Sequence, residues 1–285
     1  MIIALFPNHH FQESFEIAKE IRHFLEQSGV QVIAEEEIAP IIGCSSFREI
    51  PLADADFMIA MGGDGTILRL FNRYHTKKAA ILGINLGHLG FMADIPVGDI
   101  FLALQDLLAG KYKIHKRIVL SCLSPSGKTY SAVNDIVLHR SQNRGLIEIA
   151  IFVDDMYMNT CSADGIIVAT PNGSTAYSLA AGGPIVSPNV DAFSITPICP
   201  HTLSYRPFVL TAQHELTLRY ASTREPVEVI ADGSDHFMLQ PHEELKIIKS
   251  KEEIFRLVSL ERNNYFSTLR EKLGWSGTVF QHFKK

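Results

Sequence analysis

Residues able to do chemistry gather at three places in the chain. The first is Gly62-Gly63-Asp64-Gly65-Thr66, set directly after the apolar run Phe57–Met61 and before Ile67, Leu68, Leu70 and Phe71. A buried strand followed by glycines and then a helix places this loop at the carboxyl end of a strand, where open α/β sheets bind ligands. Glycine lets a phosphate approach the main chain. The helix that follows offers free N–H groups and a partial positive charge. Gly62, Gly63, Gly65 and Thr66 are thus candidates for a phosphate loop. No G-K-[ST] follows and no G-x-G-x-x-G is present, so neither the Walker A loop nor the dinucleotide fingerprint fits. A carboxylate in a phosphate cradle repels the phosphate unless it binds a metal or meets a hydroxyl nucleophile. Asp64 in this setting points to phosphoryl transfer. The alternative is a tight turn with Asp64 as a helix cap.

The second place runs from Ser162-Ala163-Asp164-Gly165 through Thr170-Pro171-Asn172-Gly173-Ser174-Thr175-Ala176-Tyr177-Ser178 to Ala181-Gly182-Gly183-Pro184. Its small hydroxyl residues and glycines offer donors for a ligand, and Tyr177 could stack on a base or bond a ribose. The alternative is a long turn around a buried Tyr177. The third is Asn134-Asp135, two polar residues inside the apolar run Ala132–Leu138. Burying polar groups costs free energy unless they are paired. An amide beside a carboxylate suits the vicinal hydroxyls of a ribose. A bulge or hairpin turn is the alternative.

The elements that position these residues change character near Lys111. Before it, apolar runs (Ile2–Phe6, Val30–Ala34, Phe57–Met61, Ala79–Asn85) alternate with helical spacings such as Phe11, Phe15, Ala18, Ile21 and Leu25, which Gly29 is placed to stop. That alternation predicts a Rossmann-like parallel sheet with helices on its faces over residues 1–112. From 113 to 262, short β-rich runs separated by turns predict a mainly β domain. A helical tail follows over 263–285, which could pack back on the first domain. The chain has 285 residues, 46% hydrophobic content and a net charge of −5, so the charge balance gives no reason to expect nucleic-acid binding. Cys44, Cys122, Cys161 and Cys199 form no C-x-x-C pair, which argues against a zinc site or a disulfide framework. The N-terminus reads as a first strand and no run reaches the ~20 apolar residues of a membrane span. A cytoplasmic protein that avoids membranes is expected.

Taken in order, these stretches resemble the NAD kinase family, bacterial type: GGDGT at 62–66, the Asn134-Asp135 pair, DGIIVATPNGSTAYSLAAGGP at 164–184, the N-x-G-x-L-G-F segment at 85–91 and Lys272-Leu273-Gly274-Trp275. The long third stretch is the specific one; GGDG alone also occurs in lipid kinases and phosphofructokinases. The resemblance implies the NAD kinase/diacylglycerol kinase-like arrangement, with the site in the cleft between an α/β domain and a β domain. It implies transfer of the γ-phosphoryl group of ATP to the 2′-hydroxyl of the adenosine ribose of NAD, giving NADP and ADP. A divalent metal ion, Mg²⁺ first, would assist, in a homodimer or homotetramer; the metal ligands are unknown. Asp64 would face the 2′-hydroxyl with Gly65 beside it. Asn134 and Asp135 would hold ribose hydroxyls, Phe91 and Tyr177 would lie near the adenine, and Asp164 would meet the nicotinamide end. Thr175 and Ala176 would complete the adenosine pocket, with Ser162, Ser178, Leu179, Ala180 and Ser234 also at the NAD site. Arg69 would contact a phosphate, against the plain reading of a solvated helix face. Two departures stand out. Asp135 replaces a commoner Glu, and Asn172 replaces a commoner Thr.

An aspartate has a reference pKa of ~3.9, far below a sugar hydroxyl. Asp64 is therefore expected to orient the hydroxyl and accept its proton late, in a loose transition state that needs little nucleophile activation. Asp64→Asn is expected to fold normally, bind NAD and lose most turnover. A lipid kinase would need an apolar, basic membrane-facing stretch, which the sequence lacks. A non-catalytic NAD sensor would have no need of Asp64. An oxidoreductase is disfavoured by the missing G-x-G-x-x-G.

Overall fold

The computed structural model describes residues 1–9, 11–76, 78–223 and 225–275. The chain forms two compact units, Met1–His115 with the segment from Arg256 onward, and Lys116–Phe255. The first runs β1 (Ile2–Phe6), α1 (Glu13–Gln27), β2 (Gln31–Ala34), α2 (Ala39–Ile42), β3 (Ser45–Ser46), β4 (Phe57–Gly62), α3 (Asp64–Tyr74), β5 (Ala80–Asn85), β6 (Ala93–Pro96), α4 (Ile100–Leu108) and β7 (Tyr112–Arg117), whose last two residues already belong to the second unit. In α1 the residues Ala18, Ile21 and Leu25 recur at helical spacing and are buried. Gly29, at φ +77°, follows the helix in the left-handed conformation that suits glycine there. Phe11, read from sequence as the first apolar position of this helix, lies before it and is 48% exposed.

Among the described residues the first unit's sheet has eight strands, ordered β3-β2-β1-β4-β5 and on to the last strand of the chain and β7, with β6 beside β5. β4 and β5 are buried along their whole length, as expected of parallel strands covered on both faces. β1 pairs in parallel with both β2 and β4. The strand order reverses there, which makes the gap between the carboxyl ends of β1 and β4 the sheet's switch point.

The second unit runs β8 (Leu120–Leu123), β9 (Thr129–Ala132), β10 (Asp135–His139), β11 (Ile147–Val153), β12 (Met156–Ala163), β13 (Gly165–Ala169), α5 (Tyr177–Ala180), β14 (Ala192–Ile198), β15 (Phe208–Thr211), β16 (Leu216–Tyr220), β17 (Val227–Ala231), β18 (Asp235–Leu239) and β19 (Glu244–Lys249). Two six-stranded sheets are described, β15-β14-β13-β10-β17-β18 and β12-β11-β16-β19-β8-β9. Their facing sides share one core, with Ile136, Leu138, Ile166 and Val168 from the first and Ile149, Leu218 and Ile247 from the second. Side chains alternate along a strand, so Asp135, Val137 and His139 face the other way. There Val137, Ile167, Ala169 and Ile198 form a smaller cluster against Ile230.

The chain then returns to the first unit. β20 (Phe255–Leu260) pairs in parallel with β5, and α6 (Tyr265–Leu273) follows. The return begins with this strand, inside the 113–262 span. Val258 and Leu260 join the first unit's core, a non-local pairing that local pattern cannot announce. The part of the 263–285 tail after Trp275 lies outside the described residues. All four cysteines are free thiols.

Candidate active site

The first unit presents Asp64 at the opening of α3, immediately beyond β4. Its carboxylate accepts three consecutive backbone N–H groups. Phe91 donates to Oδ2 at 2.8 Å, and Met92 and Ala93 donate to Oδ1 at 3.0 and 2.9 Å. These amides belong to the 85–93 loop between β5 and β6. Gly90 permits the approach, because a Cβ there would lie 2.0 Å from Asp64 Oδ1. A carboxylate offers about four lone-pair sites. Oδ1 spends two and Oδ2 one, so Oδ2 keeps one for a further donor.

Gly62 is required by packing, because a Cβ there would lie 2.3 Å from Thr66 Oγ1, whereas Gly63 and Gly65 have a different use. A Cβ at Gly63 would meet nothing within 4 Å, and one at Gly65 would meet only the Arg69 guanidinium at 4.0 Å. Nothing inside the protein demands glycine at either position. Their missing side chains leave the first turn of α3 open to a ligand, whose anionic groups the unbonded N–H groups favour. Arg69 donates to Thr66 Oγ1 at 3.3 Å, which places its guanidinium at this same helix start. Asn8, just past β1, donates from Nδ2 to Thr66 Oγ1 at 3.3 Å. Phe91 stands half-buried, with Lys272 Nζ 4.9 Å from its ring centre and Tyr265 6.1 Å away, both from α6.

The second unit carries a groove of about 480 Å³ lined by Asn134, Asp135, Val137, His139, Ala176, Tyr177, Ile230, Asp232 and Gly233. It runs along the outward face of β10. Asp135 is only 6% exposed. Burial first, and the charge of Asp232 second, push its carboxyl up to about 7. Asp232 is itself held: its carboxylate accepts the N–H groups of Val133, Asn134 and Asp135 at 2.8, 2.8 and 3.1 Å. It sits at φ +47°, in the left-handed region that Asp tolerates better than most residues. The polar break in the 132–138 run is thus a chain segment curled around one half-buried acceptor. The 170–176 turn closes the same end. Thr170 N–H donates to the Asn134 carbonyl at 2.8 Å. A Cβ at Gly173 would sit 2.1 Å from that carbonyl oxygen, so only glycine fits.

Other expected residues are placed differently. Thr175, half-buried, spends its hydroxyl on the Asn172 carbonyl at 3.2 Å. Ser178 points into the interior and shares a hydrogen bond with Thr196 at 3.0 Å, away from the groove. Leu179 and Ala180 continue α5, and Ser234 is exposed in the turn after Gly233. Asp164 pairs with Arg140 Nε at 3.2 Å. Ser162 lines a separate hollow with Glu148, His201 and Ser222. The β10–β13 register opposes Asp135 to Ala169 and His139 to Gly165. Asp164 and Ser162 therefore lie beyond the far end of that ladder, with Asp164 about 17 Å along the strand direction from Asp135 and Ser162 farther still. Among the described residues, no three His, Cys, Asp or Glu side chains cluster closely enough to hold a metal ion.

Residues 3–112 match the family of the ATP-NAD kinase N-terminal domain, and residues 133–260 match that of the ATP-NAD kinase C-terminal domain. The chain belongs to the NAD kinase family. It is 48% identical over 278 residues to a protein named NAD kinase from Protochlamydia amoebophila (strain UWE25), covering 98% of this chain and 99% of that one. It is 37% identical to the NAD kinase of Moorella thermoacetica (strain ATCC 39073 / JCM 9320), over 92% of this chain and 86% of the relative. Two solved structures share the fold. Yeast NADH kinase complexed with NADH superposes with a TM-score of 0.88 at 28% identity, over 98% of this chain and 89% of that one. An NAD kinase from Archaeoglobus fulgidus in complex with ATP gives 0.74 at 25% identity, over 97% and 99%. The α/β unit followed by a mainly antiparallel β unit is the architecture expected of the family.

Three residues of the site escaped the sequence reading. Asn8 needed the β1–β4 pairing to reach Thr66. Asp232 is about a hundred residues from the amides it holds. His139 lies two residues past Val137 on the same strand face, which puts it on the groove. Its Nδ1 accepts from the Ser141 N–H at 3.3 Å.

Proposed function

We propose that this chain is an ATP-dependent NAD kinase that transfers the γ-phosphoryl group of ATP to the 2′-hydroxyl of the adenosine ribose of NAD, giving NADP and ADP. The observation that carries the mechanism is the state of Asp64. Three amides fix its carboxylate, and one lone-pair site on Oδ2 is left for a hydroxyl donor. Asp64 orients the 2′-hydroxyl and takes its proton as the phosphoryl group arrives. That assistance is worth about 10²–10⁴-fold. Positioning and charge neutralisation supply more. The open first turn of α3, with Arg69 and Thr66, meets phosphate oxygens. Asn134 and Asp135 hold ribose hydroxyls in the groove, Ala176 and Tyr177 flank the adenosine, and Phe91 lies near the base. Asp164 and Ser162, farther along β10–β13, serve the nicotinamide end, a separation that suits a dinucleotide.

Mg²⁺ enters with the nucleotide substrate as Mg–ATP. A homodimer or homotetramer in the cytoplasm is the working form. Edge strand β12 supports the assembly, with Met156 69% and Tyr157 61% exposed. No described helix is long and apolar enough to cross a membrane. The test is to incubate the protein with ATP, Mg²⁺ and NAD and to follow NADP with an NADP-specific dehydrogenase, with NADH as a parallel acceptor. NAD binding without NADP formation would overturn the kinase reading.

A further inference from the structure

One buried polar residue of the second unit is not explained by packing. Asn172 is 7% exposed. Its Nδ2 donates to Asn134 Oδ1 at 2.7 Å. Its own Oδ1 accepts from the Arg117 guanidinium. A guanidinium can only donate. Arg117 therefore selects the oxygen of Asn172, which turns the Asn172 N–H₂ toward Asn134. That N–H₂ in turn selects the oxygen of Asn134. The Asn134 N–H₂ is left facing away from the relay, where Asn134 lines the groove.

The main chain leaves Asn134 little other freedom. Its N–H is bonded to Asp232 at 2.8 Å, its carbonyl accepts from Thr170 at 2.8 Å, and Gly173 presses against it. What is undetermined by the backbone is which end of the side-chain amide meets a ligand, and the relay decides that.

We propose that Arg117 and Asn172 are positioning residues that lock the Asn134 amide with its N–H groups toward the groove. The site then meets a ribose diol with a donor from Asn134 beside an acceptor carboxylate from Asp135. One hydroxyl oxygen accepts while the neighbouring hydroxyl donates. A reversed amide would set two acceptors side by side. This inference rests on the proposed NAD site, and its test separates the two.

The experiment is calorimetric titration of NAD into the full chain as wild type, Asn172→Asp, Arg117→Met and the double variant, with steady-state KM for ATP measured alongside. The carboxylate introduced by Asn172→Asp would keep the shape and the Arg117 contact but could not donate to Asn134. NAD binding should weaken about tenfold in Asn172→Asp, the size expected when a hydrogen bond becomes a mismatched pair. Arg117→Met should weaken it less, and the double variant should be no worse than Asn172→Asp alone, because both act through one amide. The KM for ATP should stay within about twofold. NAD affinity unchanged in Asn172→Asp overturns the proposal. So do losses that multiply in the double variant, or a KM for ATP that rises in step. If Asn172→Asp does not fold, Arg117→Met decides alone: weaker NAD with unchanged KM for ATP supports the relay, and unchanged NAD affinity overturns it. Wild type that binds NAD without forming NADP defeats the kinase reading and leaves the relay to the titrations. Wild type that binds no NAD defeats both.

Discussion

Replacing Asp135 by Asn should make the protein more stable, and increasingly so as pH rises. The native carboxyl titrates at about 7 against 3.8 for an ordinary aspartate, because burial and the Asp232 charge both oppose ionisation. A carboxyl whose native pKa is raised favours the folded state only while it holds its proton. Below about pH 4 both states hold it and nothing is lost. Between about pH 4 and 7 the unfolded chain releases the proton and the native chain does not, so stability falls. Above about pH 7 both are ionised and the loss levels off. At about 1.4 kcal/mol per pH unit, the wild type gives up roughly 2 kcal/mol at pH 5 and about 4 kcal/mol at pH 8. The Asp135→Asn variant has no carboxyl there to ionise and would give up none. The stability difference between the variant and wild type should therefore widen by roughly 2–3 kcal/mol from pH 5 to pH 8. Urea unfolding of both proteins at pH 5, 6, 7 and 8 measures this. Circular dichroism is the suitable probe, because Trp275, the single tryptophan, belongs to the other unit. A difference that stays flat across this range would refute the claim that Asp135 is buried at the cost of its charge. In the same range NAD affinity of the wild type should rise with pH, as the carboxylate becomes the better acceptor, and the variant should lose that dependence.

Asp64→Asn should lose turnover by about 10²–10⁴-fold, and the structure revises the expectation that it folds normally. An amide nitrogen in place of Oδ2 would face the Phe91 N–H, donor against donor, which costs about 1–3 kcal/mol and should show as a lower melting temperature. An unchanged melting temperature would mean that the amide nest is not what holds the 91–93 backbone. Gly90→Ala would set a Cβ 2.0 Å from Asp64 Oδ1, so the carboxylate must move. Its turnover should fall as far as that of Asp64→Asn while NAD binding, measured by titration, is retained. Arg69→Met should raise the KM for ATP roughly tenfold with NAD affinity unchanged, the scale of one charge-assisted hydrogen bond. Equal KM values would return Arg69 to a solvated helix face.

The architecture was legible because it is written in short-range pattern. Alternating apolar runs and helical spacings announced the parallel sheet, and β4 and β5 came out fully buried as their composition demands. The glycine loop was legible for the same reason, since a strand, a helix and the residues between them are neighbours in the chain. β20 was read as one more strand of the β domain, because no local feature says which sheet a strand will join. Its partner β5 lies over 170 residues earlier. Ser178 illustrates the reverse error. A hydroxyl in a polar stretch suggests a ligand, yet helical geometry turned this one inward to Thr196.

The sequence by itself determined the fold class, the family and the residue types available for phosphoryl transfer, because these follow from periodicity and from contiguous stretches. Tertiary structure alone decided what those residues can do. The three amides that occupy Asp64 come from another loop, the burial and the Asp232 charge that raise Asp135 come from across the sheet, and the direction of the Asn134 amide is set by Arg117 through Asn172. Basicity, charge and amide orientation depend on which groups stand within a few ångströms. In a folded chain those groups come from distant parts of the sequence.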